Sequence, residues 1–357
     1  MKKIIIKNGQ IVNHDKILHA DILVENGIIK KIENEISAEN ALIVEAKGKY
    51  VLPGGIDAHV HFHLPTAAGF SSDDFISGSR AALAGGTTSV IDFVTPQKGQ
   101  SLVEAYKFRL KEAENATVNV KFHVSPIEWT KNTAYEMEEL VEKHGVTSFK
   151  IYLAYKSGIG INDDVVLKVL ETAKKLGVLV TAHCENDEII SFLRRKFIQE
   201  GKTTPQYHPL SRPAESEFET VNRFMLLAKY VETPVYVVHV STKLAIEAIE
   251  KAQNSGQVVY AETCPHYLLL NDSVYEYEFE KSAKYVLSPP IRKKEDSEAL
   301  WKAIQTGVVQ TIGTDHCPFN LQGQKDIGKN DFTKIPNGAG GVEHRLELLY
   351  TLSLIHI

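Results

Sequence analysis

From Gly55 onward the chain repeats one pattern: a short apolar run suited to a β-strand, a turn, then an amphipathic stretch with helical spacing. The apolar runs read as strands over 56–61, 87–93, 118–125, 147–151, 177–182, 234–239, 257–262 and 309–314. Helical stretches such as DDFISGSRAALA, DDVVLKVLETAKKLG and STKLAIEAIEKAQ lie between most of them. Eight strand–helix units over about 250 residues is the size of a closed (β/α)8 barrel. The alternation therefore predicts an α/β fold of TIM-barrel type. Segment 200–215, GKTTPQYHPLSRPAES, is too rich in Pro and turn residues for a helix and reads as a loop. Residues 263–295 read as a second long excursion before the last strand.

The first fifty residues obey a different rule. KKIIIKNG, GQIVN, ADILVENG, GIIKKIEN and ALIVEAKG are short β-type runs, and Asn8-Gly9 and Asn26-Gly27 are tight-turn dipeptides between them. This predicts a small antiparallel β-sheet over 1–52, with the barrel over 53–351. At the other end, LSLIHI corresponds to one reading frame of a transposon end used in some sequencing libraries. Residues 352–357 are therefore expected to be a non-native tail, with the natural chain continuing past Thr351.

Composition narrows the function classes. A net charge of -5 with scattered Lys and Arg argues against a nucleic-acid surface or a polybasic membrane surface. No apolar stretch is long enough to span a bilayer, and the start of the chain carries no signal-peptide pattern. Cys184, Cys264 and Cys317 lack any CxxC spacing and suit a reducing compartment, which points to the cytoplasm.

In a barrel of this type, active side chains stand at the C-terminal ends of the strands. His59 and His61 form a His-x-His pair at the first such end, where residues two apart point to the same side and can share one metal ion. Lys150, His183, His239 and Asp315 fall at the ends of four further predicted strands. Any one of these has an ordinary structural explanation, but six ligand-type residues facing one mouth point to a metal-dependent hydrolase. A lysine at the end of an apolar strand is costly to bury charged, and a neutral amine can take up carbon dioxide to form an anionic carbamate. Its two oxygens would bridge two divalent cations. The alternative for Lys150 is a snorkelling side chain that reaches solvent.

The motifs GGIDAHVHFHLP, AGGTTSVIDF, TSFKIYLAYK, AHCEN, VVHVS, AETCPHYLLL, KYVLSPPIR, GTDHCPF and DFTKIPNGAGGVEHR resemble those of the cyclic amidohydrolases, most closely the hydantoinase and dihydropyrimidinase family. The likeness runs from about residue 1 to residue 351. It implies a metal-bearing barrel beside a β-sandwich built from both chain ends, here lacking its C-terminal strands, and a homotetramer in the full-length protein. It also implies that His59, His61 and Asp315 hold the more buried metal, that His183 and His239 hold the more exposed one, and that carbamylated Lys150 bridges them. Zinc is the implied metal. Asp315 would pass a proton from the metal-bridging hydroxide to the leaving ring nitrogen, and Tyr155 would donate to the developing oxyanion. Ser288 and Asn337 match substrate-holding positions, although both stand beside turn residues, which leaves a purely structural role as the alternative.

The implied reaction opens a hydantoin or 5,6-dihydropyrimidine ring to an N-carbamoyl amino acid. Allantoinase activity is an alternative within the enzymes, and a metal-free scaffold is one outside them. His63 occupies the position at which dihydroorotases carry an arginine, which counts against dihydroorotate. Whether His63 lines the pocket or supports another residue is open at this point. Leu64, Tyr152 and Ile159 fall on loops expected to shape the pocket. Cys184 and Cys317 are expected to pack, and His266 and His316 to support other groups. His123, His144, His208, His344 and His356 carry no functional expectation.

Overall fold

The computed structural model describes the backbone of residues 3–356 and the side chains of residues 3–352. The side chains of 353–357, most of the expected non-native tail, and that of His356 with them, lie outside the described residues. The chain divides into two compact units, Met1–Gly55 and Ile56–Ile357.

The first unit is a five-stranded sheet of β1 (Lys3–Val12), β2 (Ile17–Glu25), β3 (Ile28–Glu33), β4 (Ala41–Glu45) and β5 (Tyr50–Val51). Strands β1, β2 and β3 run antiparallel. Asn26-Gly27 makes the predicted turn between β2 and β3, whereas Asn8-Gly9, predicted as a turn, is a bulge inside β1, whose own turn to β2 lies at residues 13–16; Asn8 and Asn26 both adopt positive φ. The sheet is not wholly antiparallel. Strands β4 and β5 both lie parallel to β1. The chain leaves β3 at the sheet's far edge and crosses to the other side of β1 before β4 begins, so β4 returns in the direction of β1.

The second unit contains eight parallel strands: β6 (Gly55–Asp57), β9 (Thr87–Val94), β10 (Asn119–Val124), β11 (Ser148–Tyr152), β12 (Leu179–His183), β13 (Val235–Val237), β14 (Val259–Thr263) and β15 (Thr311–Ile312). A small hairpin of β7 (Pro65–Thr66) and β8 (Gly69–Phe70) decorates the loop after β6. The eight strands follow one another in chain order, and the two ends of the sheet meet where Val60 bridges His316 and the His61 amide donates to the His316 carbonyl at 2.8 Å. The result is a nearly closed barrel surrounded by helices.

Helix periodicity explains the outer layer. In Asp163–Leu176 the buried residues are Val166, Val169, Leu170 and Ala173, a single stripe at spacing three and four. Gly177 ends that helix at φ 69°, a left-handed cap that glycine adopts without steric cost. The helices Phe75–Ala84 and Lys243–Asn254 are capped by the side chains of Asp74 and Thr242. Each buried Val, Leu or Ile on these stripes contributes on the order of 1.5–3 kcal/mol.

Segment 200–215 is more ordered than its composition suggests. It holds a short helix, Tyr207–Leu210, and the helix Ala214–Val231 starts inside it. Pro209 lies within a single turn and Pro213 precedes the first turn of the long helix, positions at which a missing N–H costs nothing. Strands β6, β13 and β15 are shorter than expected from sequence, and in each case the ligand-type residue lies just past the strand. There the backbone turns out of the ladder, with His239 at φ 40° and Asp315 at φ 50°.

Candidate metal centre

Strand alternation explains how Lys150 enters the barrel. In Ser148–Tyr152 every residue is buried; Phe149 and Ile151 join the apolar core, while Lys150 and Tyr152 line the cavity at the mouth. Lys150 is 1% exposed, so its ammonium does not reach bulk solvent and the snorkelling alternative is set aside. Burial moves its pKa down to about 8, against the pull of Asp315 and Glu262. Its Nζ lies 5.0 Å from the Phe93 ring centre and 5.2 Å from that of Tyr152.

The six ligand-type residues all line one cavity of about 1430 Å³. Nε2 of His59 and Nε2 of His61 lie 3.2 Å and 3.0 Å from the same Asp315 carboxylate oxygen. Each of these three residues offers a ligand atom within 4.8 Å of the others. Across the cavity, Nδ1 of His183 faces Nε2 of His239 at 3.0 Å. The rings of His59 and His239 are 5.3 Å apart, so the two groups adjoin.

The donor set fits divalent cations. His59 gives its other nitrogen, Nδ1, to Glu262 at 2.6 Å, and His183 gives Nε2 to Glu185 at 2.9 Å. In each case a carboxylate fixes the tautomer and aims the remaining nitrogen's lone pair into the cavity. Burial keeps His183 and His239 below the usual imidazole range, hence neutral and able to donate a lone pair. Burial works against protonation of His59 too, but Glu262 and Asp315 outweigh it and raise that pKa to about 9, so a cation at Nε2 would have to displace a proton to reach that lone pair. Burial works against ionisation of Asp315, yet His59 and His61 hold it well below the carboxylate range. A carboxylate crowded by imidazole nitrogens is a cation site by its chemistry.

Neither carboxylate was singled out from sequence. Glu262 also accepts from the Tyr236 hydroxyl at 2.7 Å, and Gly313 makes room for it, since a Cβ at 313 would stand 2.7 Å from its Oε2. Glu185 pairs with the fully buried Arg212, which takes its pKa down to about 2 despite burial. The available signal was position: Glu185 lies two residues after His183, and Glu262 lies near the end of β14.

Tyr155 lines the cavity with its ring 5.1 Å from that of His183, and its backbone adopts φ 60°. Asn337 Nδ2 donates to Ser288 Oγ at 2.7 Å on the cavity wall, and Asn337 Oδ1 is buried without a partner. Leu64, Tyr152 and Ile159 also line the cavity. His63 does too, stacked on Phe70 at 4.0 Å and bonded to Glu112 at 2.7 Å. Cys184 is packed in the core, whereas Cys317 departs from its expected packing role by lining the cavity. The Cys317 amide pairs with Ala339, and this loop carries its side chain to the wall. His316 is structural: Nδ1 accepts from the Gly341 and Val342 amides, and Nε2 meets Asp73 at 2.9 Å. His266 is half-buried outside the cavity lining, with its Nε2 shielded from solvent.

Eight non-glycine residues among those described have positive φ, and four of them, His63, Tyr155, His239 and Asp315, line this cavity. Asparagine, aspartate and histidine are the side chains that enter that region most readily, whereas Tyr155 adopts it at a cost of about 1–3 kcal/mol, and such residues cluster at functional sites.

Comparison with known proteins agrees with this geometry. The Amidohydrolase family model matches residues 50–349. The chain is 41% identical to a D-hydantoinase of Geobacillus stearothermophilus over 348 residues, covering 97% of this chain and 74% of the relative. The chain belongs to the amidohydrolase family, in its hydantoinase and dihydropyrimidinase branch. A dihydropyrimidinase of Arabidopsis thaliana is 40% identical over 350 residues, covering 98% of this chain and 66% of that one. The crystal structure of a dihydropyrimidinase from Brevibacillus agri superimposes with a TM-score of 0.96 at 40% identity, covering 98% of this chain and 76% of that one. The chain thus spans about three quarters of the length of the D-hydantoinase and of the Brevibacillus structure. Amidohydrolases are metal-dependent, which agrees with the cluster of His59, His61 and Asp315.

Proposed function

We propose that this amidohydrolase opens the ring of a hydantoin or a 5,6-dihydropyrimidine at its amide bond and releases an N-carbamoyl amino acid. The observation that carries the reading is the convergence of six ligand-type side chains from five barrel strands on one cavity. The names of the D-hydantoinase and dihydropyrimidinase relatives agree with it.

In this reading His59, His61 and Asp315 would hold one cation and His183 and His239 a second, zinc in each case. Lys150 would serve them as a carbamate, formed when its neutral amine bonds the carbon of carbon dioxide and gives up a proton. The depressed Lys150 pKa supports that uptake. When bound, such cations supply Lewis acidity toward a carbonyl and make a water acidic enough to attack near neutral pH.

The chain's own groups do the rest. Tyr155 is kept protonated by burial and donates a hydrogen bond to the carbonyl oxygen as negative charge develops. Asp315, held ionised, takes the proton of the attacking water and delivers it to the departing ring nitrogen. Ser288 and Asn337 orient the ring; the unpartnered Asn337 Oδ1 supports this, being a buried acceptor awaiting a ring N–H.

The sheet of the first unit is read as one layer of a β-sandwich, supported by exposed apolar residues on β3 and β4 such as Ile29, Ile32, Leu42 and Ile43. No helix of the described residues is long and apolar enough to cross a membrane. A cytoplasmic location agrees with three unpaired cysteines, and light scattering tests the homotetramer that the resemblance implies.

The deciding experiment is a spectrophotometric screen of purified protein against hydantoins, dihydropyrimidines, allantoin and dihydroorotate. Ring opening of the first two classes is expected. Turnover confined to allantoin or dihydroorotate, or none with metals bound, overturns the reading.

A further inference from the structure

Lys325 stands outside the metal centre and is 2% exposed. Burying an ammonium costs several kcal/mol unless its hydrogens are matched. Its Nζ donates to two main-chain carbonyls, Val286 at 3.0 Å and Pro336 at 3.1 Å, and lies 6.0 Å from the centre of the Phe319 ring. Those carbonyls belong to different loops. Val286 comes two residues before Ser288, and Pro336 comes directly before Asn337. The same loops meet twice more: Gly338 N–H donates to the Val286 carbonyl at 3.0 Å, and Asn337 bonds Ser288 at 2.7 Å. Ser288 and Asn337 face the cavity, whereas Lys325 is absent from its lining.

We infer that Lys325 is a positioning residue, a buried tie that fixes the spacing of the Ser288 and Asn337 loops and thereby sets how tightly the substrate ring is held. The inference rests on the substrate-binding reading of those two residues given above. Its chemistry suits the task. A neutral amine retains two N–H groups, one for each carbonyl, so the tie survives loss of the third proton; burial in fact moves Lys325 down to about 7. A methionine of similar length would leave two buried carbonyls with one fewer donor each.

The test is steady-state kinetics of Lys325→Met and Lys325→Gln with the best hydantoin or dihydropyrimidine substrate, alongside metal content and circular dichroism. Lys325→Met is expected to raise KM by at least about tenfold with full metal content, and Lys325→Gln, which keeps two donors on a shorter arm, to raise it less. The same measurement on Asn337→Ala and on the double variant distinguishes positioning from general support: the Lys325→Met effect should largely vanish once Asn337 is truncated. Additive effects, or a folded and metal-loaded Lys325→Met enzyme with KM within about twofold of wild type, overturn the inference. Failure of both Lys325 variants to fold overturns it too, since the side chain would then serve folding. If Asn337→Ala leaves KM unchanged, the substrate-binding reading itself fails; if Asn337→Ala raises KM and Lys325→Met does not, only the role of Lys325 fails.

Discussion

Glu262 accepts a hydrogen bond from Nδ1 of His59 at 2.6 Å across 203 residues of chain, and this pairing decides which imidazole nitrogen faces the cavity. Both groups are buried, at 0% and 1% side-chain exposure, so neither has water as a substitute partner. The carboxylate does for His59 what Glu185 does for His183: it removes the tautomer choice and leaves a lone pair directed inward.

Glu262→Gln keeps the volume of the side chain but removes its charge. Metal affinity is expected to fall by about 10- to 100-fold, the usual effect of losing an outer partner of a ligating histidine. Competition with a chelating indicator reads this directly, and an affinity equal to wild type would show that Glu262 does not tune the site.

Lys150→Ala is expected to lose both metal content and ring hydrolysis. A short carboxylic acid such as propionate should restore part of the activity if Lys150 carries the proposed carbamate, because its two oxygens would fill that group's space. Elemental analysis together with a rate assay checks this; retained metals and turnover would remove Lys150 from the centre.

Tyr155→Phe removes one hydroxyl from the cavity wall. Loss of a single oxyanion donor lowers kcat by about 10²- to 10³-fold in comparable sites. Metal content should stay at the wild-type level, which separates this loss from that of Lys150→Ala. A kcat within about threefold of wild type would assign Tyr155 to packing.

The pH dependence of stability carries a mark of Lys325. Its folded pKa is depressed to about 7 by burial, against 10.5 for the ordinary amine. Below pH 7 both folded and unfolded chains hold the proton, and the contribution is flat. Between the two values the unfolded chain holds a proton that the folded one has released, so stability rises with pH, by at most about 1.4 kcal/mol per unit. Lys325→Met lacks this gain. The wild-type melting temperature minus that of the variant should therefore increase from pH 7 to pH 9, as scanning calorimetry of the two proteins will read. A constant difference would mean that the amine stays charged throughout.

Much of this protein was legible before folding. Strand and helix periods are local properties of the backbone, so the eight strand positions and stripes such as Val166, Val169, Leu170 and Ala173 follow from spacing alone. The ligand-type residues His59, His61, Lys150, His183, His239 and Asp315 were identifiable because a parallel barrel brings strand ends to one mouth whatever the loops do. Local composition misled at three places: Asn8-Gly9, which bulges within β1 instead of turning the chain, β4 and β5, whose direction depends on a crossover, and 200–215, where proline is harmless within a first turn.

Only the tertiary structure decided the partners. Glu262 with His59, Arg212 with Glu185, His63 with Glu112 and Lys325 with two loop carbonyls join residues from different elements. Hydrogen bonds act over about 3 Å, and spacing along the chain carries no information at that range once the pair is separated by whole strand–helix units. Sequence thus determined which chemical groups reach the barrel mouth, whereas packing determined which atom of each group faces inward and which stays protonated.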